Sequence, residues 1–567
     1  MRNSLKMITY LSSLVLLLFI TFNVHCCYIS FETSYVEIPD ELLILKHPKS
    51  SINKPLSVFA DDKIDRGLIN MNNVSYLLII NKPGYYWLDA NISNCNYDIG
   101  VLINSSDVVF DGNGHLLSGK APTINYYGIY VNDAVNVTIR NLLIKDWEHG
   151  SILVTKSTNI SIYNVSILSD TLSNNGIIVK GSSKVYIHDN LIFGSAHHDG
   201  ITVKNSKDVK IFRNLLVNNF YGLKIRDSDN IEVFDNSIEY NKFGLEMLNV
   251  ISSKIWGNDI KNVLIGSYIK NSKKIEITLN LIKNNGWAII ANFSFFLVVS
   301  SNLIFDAMYY GFLFLSSGNN IISGNRIVNV SRDGLHLYDS SSNIIHGNVF
   351  SNCGWSGILL WLSRKNFIFN NSIVGNNVGV EVYNSSSNYI FFNNFVKNLL
   401  DVNSFAGNFW FSRAVSYIFN GSFFFGKLGN FWEAFSGLDL DGDGVFDSPY
   451  FCDYRPLAFP TWNFSVLDFD GDGLDDFFEF VYGTNSLVFD SDWDGFGDGV
   501  EVSLGTDPLS PFSHPDKNAE RIFAITYLIV TLSTTVSTML TIRKNQQVRK
   551  KIRQVIDTIK PTKYHQH

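Results

Sequence analysis

Cysteine is nearly absent. Five residues in a chain of 567 are too few for a disulfide framework. Cys95 and Cys353 stand about ten repeats apart, roughly 48 Å at the spacing of stacked strands, and cannot pair. A Cys353–Cys452 pair stays open if the C-terminal segment folds back. Soft metal ligands are thin as well: Met71, Met247 and Met308 are scattered, and the one adjacent histidine pair is His197-His198. Copper favours clusters of Met, Cys and His, so none is expected. No repeat holds ten residues of helical spacing, which excludes leucine-rich and helical solenoids.

What the chain does have is a rhythm. Asn141, Asn164, Asn190, Asn214, Asn236, Asn258, Asn280, Asn302, Asn325, Asn348, Asn371 and Asn393 recur at steps of 22 to 26 residues. Glycines run in phase, from Gly128, Gly150 and Gly176 on to Gly357 and Gly379. Within each unit, as in Ser206–Val217, apolar β-branched or leucine residues alternate with polar ones, which is strand periodicity. The fold class that remains is all-β: a right-handed parallel β-helix of about twelve coils. Each asparagine amide is expected to bond its equivalents one coil up and down, pairing turn groups that would otherwise be buried alone. Each glycine marks a bend that needs positive φ or close approach of coils. Ile201 with Val203, Leu223 with Ile225 and Leu335 with Leu337 point inward and stack in columns.

The two ends differ from the middle. Residues 1–27 read as a signal peptide, with Arg2 and Lys6 ahead of the apolar run Leu11–Phe22, although no small-x-small cleavage site follows. Residues 522–542 are 21 uncharged residues, about 31 Å as a helix and enough to span a bilayer. The tail 543–567 carries eight basic residues against Asp557, as the positive-inside rule expects of a cytoplasmic end. The chain is thus expected at the cell membrane, single-pass, with its bulk outside. Twelve Asn-x-Ser/Thr sequons, among them Asn73, Asn136 and Asn463, fit a glycoprotein.

Acidity is concentrated in one stretch. Residues 438–508 hold seventeen Asp and Glu against Arg455 alone, while the whole chain is only −7. A near-neutral solenoid with an acidic end offers no footprint for nucleic acid and points to a metal. Asp468, Asp470, Asp472, Leu474, Asp476 and Glu479 occupy positions 1, 3, 5, 7, 9 and 12 of a calcium loop with glycine at 6. Asp490, Asp492, Asp494, Phe496, Asp498 and Glu501 repeat it. Alternating hard oxygens wrap one Ca²⁺, position 7 offers a carbonyl, and the glutamate closes the shell. A third loop, Asp439, Asp441, Asp443 and Asp447, has Tyr450 where the closing Glu belongs and is expected to be weaker or completed by water.

Two runs, Pro83–Leu88 (Pro-Gly-Tyr-Tyr-Trp-Leu) and Val109–His115 (Val-Phe-Asp-Gly-Asn-Gly-His), resemble the opening coil of the NosD-like β-helix family. Gly429–Trp432, Asp439–Tyr450 and Asp453–Leu457 resemble its closing segment. The likeness covers about residues 74–460. It implies the fold and an extracytoplasmic location. The family's members include copper-binding, carbohydrate-binding and sugar-hydrolase types. Gly483-Thr484-Asn485 and Gly505–Pro508 resemble thrombospondin type 3-like calcium repeats. The organisation expected is an N-terminal segment at 28–73, the β-helix at 74–400 and its C-terminal cap at 401–460. The complete calcium loops follow at 461–510, as a stalk, and then a linker at 511–521.

On the outer face, counting from each glycine puts Lys180, Thr202, Lys204, Lys224, Arg226, Glu246 and Lys270 outward. His197, His198 and Asp199 lie in the turn beside them, and with Arg226 they are the candidates for acid–base chemistry on a uronate-type sugar. The paired carboxylates of β-helix glycosidases are missing, because Asn175 and Tyr221 flank Asp199. Later coils turn apolar outward, at Ile290, Leu315, Tyr338, Trp361 and Tyr383. The aromatic stretch 400–436 is expected to cover them; an aromatic platform for glycan rings is the alternative. Two functions follow: a surface protein that binds polysaccharide in adhesion or envelope structure, or a membrane-tethered lyase, hydrolase or epimerase.

Overall fold

The structure is a computed structural model. It describes residues 76–515 apart from 121–125, 169–174, 195–196 and 405–406. The signal-like segment, residues 28–73, the apolar run 522–542 and the basic tail lie outside the described residues. Within them there are two α-helices, Asp476–Tyr482 and Asp498–Leu504, and none is long and apolar enough to cross a membrane.

One coil shows the repeat. Tyr221–Arg226 forms a first face, Asp229–Phe234 a second and Ser237–Glu239 a third. Each strand pairs in parallel with its equivalent one coil away, and the first face runs as a single sheet of fifteen strands. The solenoid therefore has about fourteen turns rather than twelve. Evenly spaced asparagines mark only part of the run, and the coils before Asn190 carry other residues, such as Val165, at that corner. Alternation along the strand sends Leu223 and Ile225 inward, fully buried, above Leu245 and Met247 of the next coil.

The asparagines form the expected ladder. Asn236 Oδ1 accepts from the backbone and side-chain amides of Asn214, both at 3.0 Å, and its own Nδ2 donates to Asn258 Oδ1 at 2.9 Å and to Ile211 and Phe234 carbonyls. The ladder runs from Asn190 through Asn393 and ends on Asn430, which the spacing did not reveal. There Asp453, fully buried, accepts from the Asn430 amide at 2.7 Å and from Trp432 Nε1 at 3.0 Å. Trp432 stacks on Phe395 at 4.2 Å and closes the core.

Asn141 and Asn164 are not in this ladder. They occupy the turn position one residue earlier, at φ of 55° and 52°, and Val165 N takes the bond to Asn190 Oδ1. At every later corner that preceding residue is also left-handed, from Asp189 and Arg213 to Asn370 and Phe392. A second ladder, of serine, was hidden in the sequence: Ser157, Ser182, Ser206 and Ser228 each accept at Oγ from the amide of the coil before or donate the same way onward. The in-phase glycines serve close approach and not positive φ. A Cβ on Gly222 would lie 2.8 Å from the Gly244 carbonyl, and one on Gly244 2.5 Å from that of Gly266.

Leu279 breaks the corner rule. It sits at φ 56° and 66% exposed, where Gly257 and Ser301 hold the equivalent positions. A left-handed leucine costs roughly 1–2 kcal/mol. Leu279→Asn should therefore raise stability by about 1 kcal/mol, seen as a higher thermal midpoint of the solenoid.

The acidic segment is not a stalk. The hairpin Ala414–Phe419 and Ser422–Lys427 takes Phe464–Val466 as a third antiparallel strand. Helix Asp476–Tyr482 then presses Phe477 and Phe480 onto Phe391, Phe392 and Tyr389 of the second face. That face offers the stacks His346–Phe369–Phe391 and Phe367–Tyr389–Phe409. The aromatic stretch after residue 400 thus packs on the second face, not over Ile290, Leu315, Tyr338, Trp361 and Tyr383 on the first. Cys95, Cys353 and Cys452 are all free thiols.

Candidate functional site

The loop 468–479 closes on itself through its own backbone. Asp468 accepts from Gly471 N at 2.8 Å and Gly473 N at 2.9 Å, Asp472 accepts from Leu474 N, and both glycines are left-handed. These bonds gather one oxygen each of Asp468, Asp470 and Asp472 within 4.8 Å. Asp475 caps the helix that follows by accepting from Phe477 N and Phe478 N. One turn later the helix brings in Glu479, 1% exposed, with neither carboxylate oxygen hydrogen-bonded. Burial first, then Asp470 and Asp472, push its carboxyl up to about 8.

The loop 490–501 repeats the design. Asp490 accepts from Trp493 N and Gly495 N, and Asp494 from Phe496 N. Glu501 is fully buried with both oxygens unpartnered, and burial with Asp494 and Asp492 raises it to about 7. The two loops are joined, since Gly499 N donates to Asp472 Oδ2 at 2.8 Å. Buried carboxylates with no donor cost stability unless a cation meets them, so this donor set fits a hard divalent ion. The ninth positions differ from expectation. Asp476 accepts from Ser416 N and Phe469 N, and Asp498 from Ser491 N and Oγ, so both carboxylates are turned to the backbone. Asp476 thereby ties the first loop to the hairpin. Leu474 and Phe496 stand at the seventh positions with buried side chains.

The third loop is built differently. Asp439, Asp441 and Asp443 converge, but Asp447 accepts from Leu440 N and the Arg455 guanidinium lies 3.4 Å from Asp443. A protein cation thus meets one of the converging carboxylates, and Tyr450 stands at the twelfth position.

Of the four residues proposed for acid–base chemistry on the first outer face, Asp199 and Arg226 lie within electrostatic reach of each other. His197 is exposed in its turn, while His198 is buried. Asp199 meets Lys224 at 2.7 Å and accepts from Thr202. Arg226 forks onto Glu246 of the next coil at 2.9 and 2.7 Å. Lys224 also lies 4.5 Å over the Tyr221 ring, and burial, with Glu246 next, raises the Tyr221 phenol. Glu246 as the partner of Arg226 was missed because that pairing spans two coils. Further along, Trp361 is 40% exposed, with Tyr338 and Tyr383 each 5.9 Å away.

Residues 88–268 and 248–437 match the model of a family described as periplasmic copper-binding protein (NosD). The chain belongs to the NosD family. Its residues do not fit a copper site: Met247 is in the core, Met308 is exposed, and among the described residues the only converging metal-type groups are all aspartate. No curated protein matches the chain in sequence. Similar solved structures include the A-module of the mannuronan C-5 epimerase AlgE6 from Azotobacter vinelandii, at 12% identity. It covers 50% of this chain and 88% of that one, with a TM-score of 0.33. A variant of the periplasmic alginate epimerase AlgG matches at 15% identity over 54% of this chain and 79% of that one, TM-score 0.37. DFA-IIIase from Arthrobacter chlorophenolicus A6 matches at 14% over 50% and 83%, TM-score 0.33.

Proposed function

We propose that this NosD-family chain is a surface protein whose solenoid binds acidic polysaccharide along its first outer face, in adhesion or envelope structure. Its two complete acidic loops take calcium and hold the C-terminal segment. The run 522–542 with the basic tail behind it anchors the chain, bulk outside. A column of cations carries the reading. Lys180, Lys204 and Arg226 lie in register on successive coils, Lys270 follows two coils on, and Lys224 stands alongside. Asp199 and Glu246 neutralise two of these five, leaving a net positive stripe. It leads toward the rings of Tyr338, Trp361 and Tyr383, which offer faces to sugars.

A second reading draws on the same stripe. Asp199, Tyr221, Lys224, Arg226 and Glu246 form a charged cluster that a lyase, hydrolase or epimerase could use. One experiment separates them: acidic and neutral polysaccharides are incubated with the protein and assayed for both retention and new chain ends. Retention of the acidic polymer without new ends supports binding, and new ends support the enzyme. Lys180→Gln, Lys204→Gln and Lys270→Gln together should weaken retention about tenfold at low salt and flatten its salt dependence. Unchanged retention in the triple variant would sink the stripe as the binding surface.

A further inference from the structure

Three successive coils place Tyr309, Arg332 and Trp355 one above another at the edge of the first face. Arg332 N donates to the Tyr309 carbonyl at 3.0 Å, and Trp355 N to the Arg332 carbonyl at 3.2 Å. The guanidinium carbon lies 5.2 Å from the Tyr309 ring centre and 4.7 Å from that of Trp355, so it is sandwiched between rings. Its Nη1 donates to Tyr310 Oη at 3.3 Å. No carboxylate among the described residues lies within ion-pair distance of it. Trp355 is 50% exposed.

Tyr310 also touches a buried polar pair, its ring edge-on to His336 at 5.5 Å. Asp333 uses one oxygen to accept from Ser356 N at 3.0 Å. The other lies 3.3 Å from His336 Nδ1, a close contact without hydrogen-bond geometry, and neither nitrogen of His336 has a hydrogen-bond partner. Packing does not demand this histidine. Its register neighbours one coil before and after are Leu313 and Leu359, both buried. A third leucine would fill the column with an apolar side chain and leave Asp333 Oδ2 as the polar atom there without a partner. Buried groups left without hydrogen bonds cost stability and call for an explanation, of which a bound partner is one.

We infer that Arg332, Tyr310, His336 and Asp333 form a subsite for one uronate residue of a polysaccharide. This rests on the glycan-binding reading and adds a place and a chemistry to it. The sugar carboxylate lies on the planar guanidinium, which matches it with two parallel N–H donors. Sandwiching between rings holds that fork in one orientation. The sugar's apolar face takes the exposed side of Trp355. A ring hydroxyl, able to donate and accept, supplies the partner that His336 and Asp333 lack.

The test is calorimetric titration of the full-length protein with a uronate tetrasaccharide and with the same tetrasaccharide reduced at its carboxyls. The wild type should favour the acidic form. Arg332→Gln should weaken that form about tenfold or more and leave the reduced form unchanged. His336→Leu should weaken both forms in protein whose melting curve shows the coils still folded, whereas a purely structural histidine would leave both affinities unchanged. Acidic binding that neither variant alters, but that the lysine triple variant abolishes, overturns the subsite and spares the wider reading. A wild type that binds neither tetrasaccharide overturns both.

Discussion

Chelating calcium from the full-length protein should give a separate, lower-temperature unfolding transition for the C-terminal segment while the coils stay folded. The ladders of the solenoid bond backbone and amide groups and need no ion. The loops hold six and five acidic residues, with Glu479 and Glu501 buried and unpartnered. Calcium at a hundred times its Kd would stabilise the segment by about 2.7 kcal/mol per site. Because Asp476 and Phe477 tie the first loop to the hairpin and the second face, the loss should extend to the docking of that helix.

The pH dependence has opposite signs with and without the ion. In chelator, the Glu479 carboxyl rises from its ordinary 4.5 to about 8 on folding. Its contribution to stability is then fully present below about 4.5 and lost as pH rises to 8. The chelated segment should thus melt lower at pH 8 than at pH 5. Calcium needs the carboxylate ionised, so affinity should climb over the same window, with protons released on binding. Glu479→Gln separates the two effects. In calcium the variant should lose most of one site's stabilisation. In chelator at pH 5 it should melt close to the wild type, and by pH 7 it should already melt higher, because unfolding lets the wild-type Glu479 ionise. Calorimetry across pH 5–9 checks this, and a variant that matches the wild type in calcium would refute the assignment.

The ladder was legible because a single repeated residue type marks it, and the strands because alternation in one coil is copied into the next. Offsets of one residue were not. Asn141 and Asn164 look like ladder members because the left-handed corner position also favours asparagine. The serine ladder escaped because serine is common in any turn. At the site, the acidic loops could be read from spacing alone, since their ligands lie within twelve residues. Pairings across coils could not: Arg226 with Glu246, or Tyr310 between Arg332 and His336, depends on registers that vary between 22 and 23 residues. The docking of Phe477 and Phe480 was hidden for a related reason. Apolar residues point outward on two faces of the later coils, and only the stacked rings of the second face match the helix in shape.

Asn280→Ala in the middle of the solenoid should cost on the order of 3–5 kcal/mol, measured by chemical denaturation. Asn280 is buried, and its Oδ1 accepts from Asn258 N at 3.1 Å and Asn258 Nδ2 at 2.9 Å. Its Nδ2 donates to Ile255 and Thr278 carbonyls and to Asn302 Oδ1. Truncation strands the Asn258 N–H, takes one of three acceptors from Asn258 Nδ2 and removes a donor from three acceptors. Asn280→Asp should be worse at neutral pH, because a carboxylate would face those same three acceptors. By contrast Lys254→Ala, which breaks an exposed 3.0 Å ion pair with Glu276 on the second face, should cost well under about 1 kcal/mol. Since each coil touches only its neighbours, a broken rung divides the stack into two shorter arrays. The asparagine variants should therefore broaden the unfolding transition as well as shift it, whereas the lysine variant should leave its width unchanged. Equal costs for Asn280→Ala and Lys254→Ala would mean that the amide ladder does not hold the coils together.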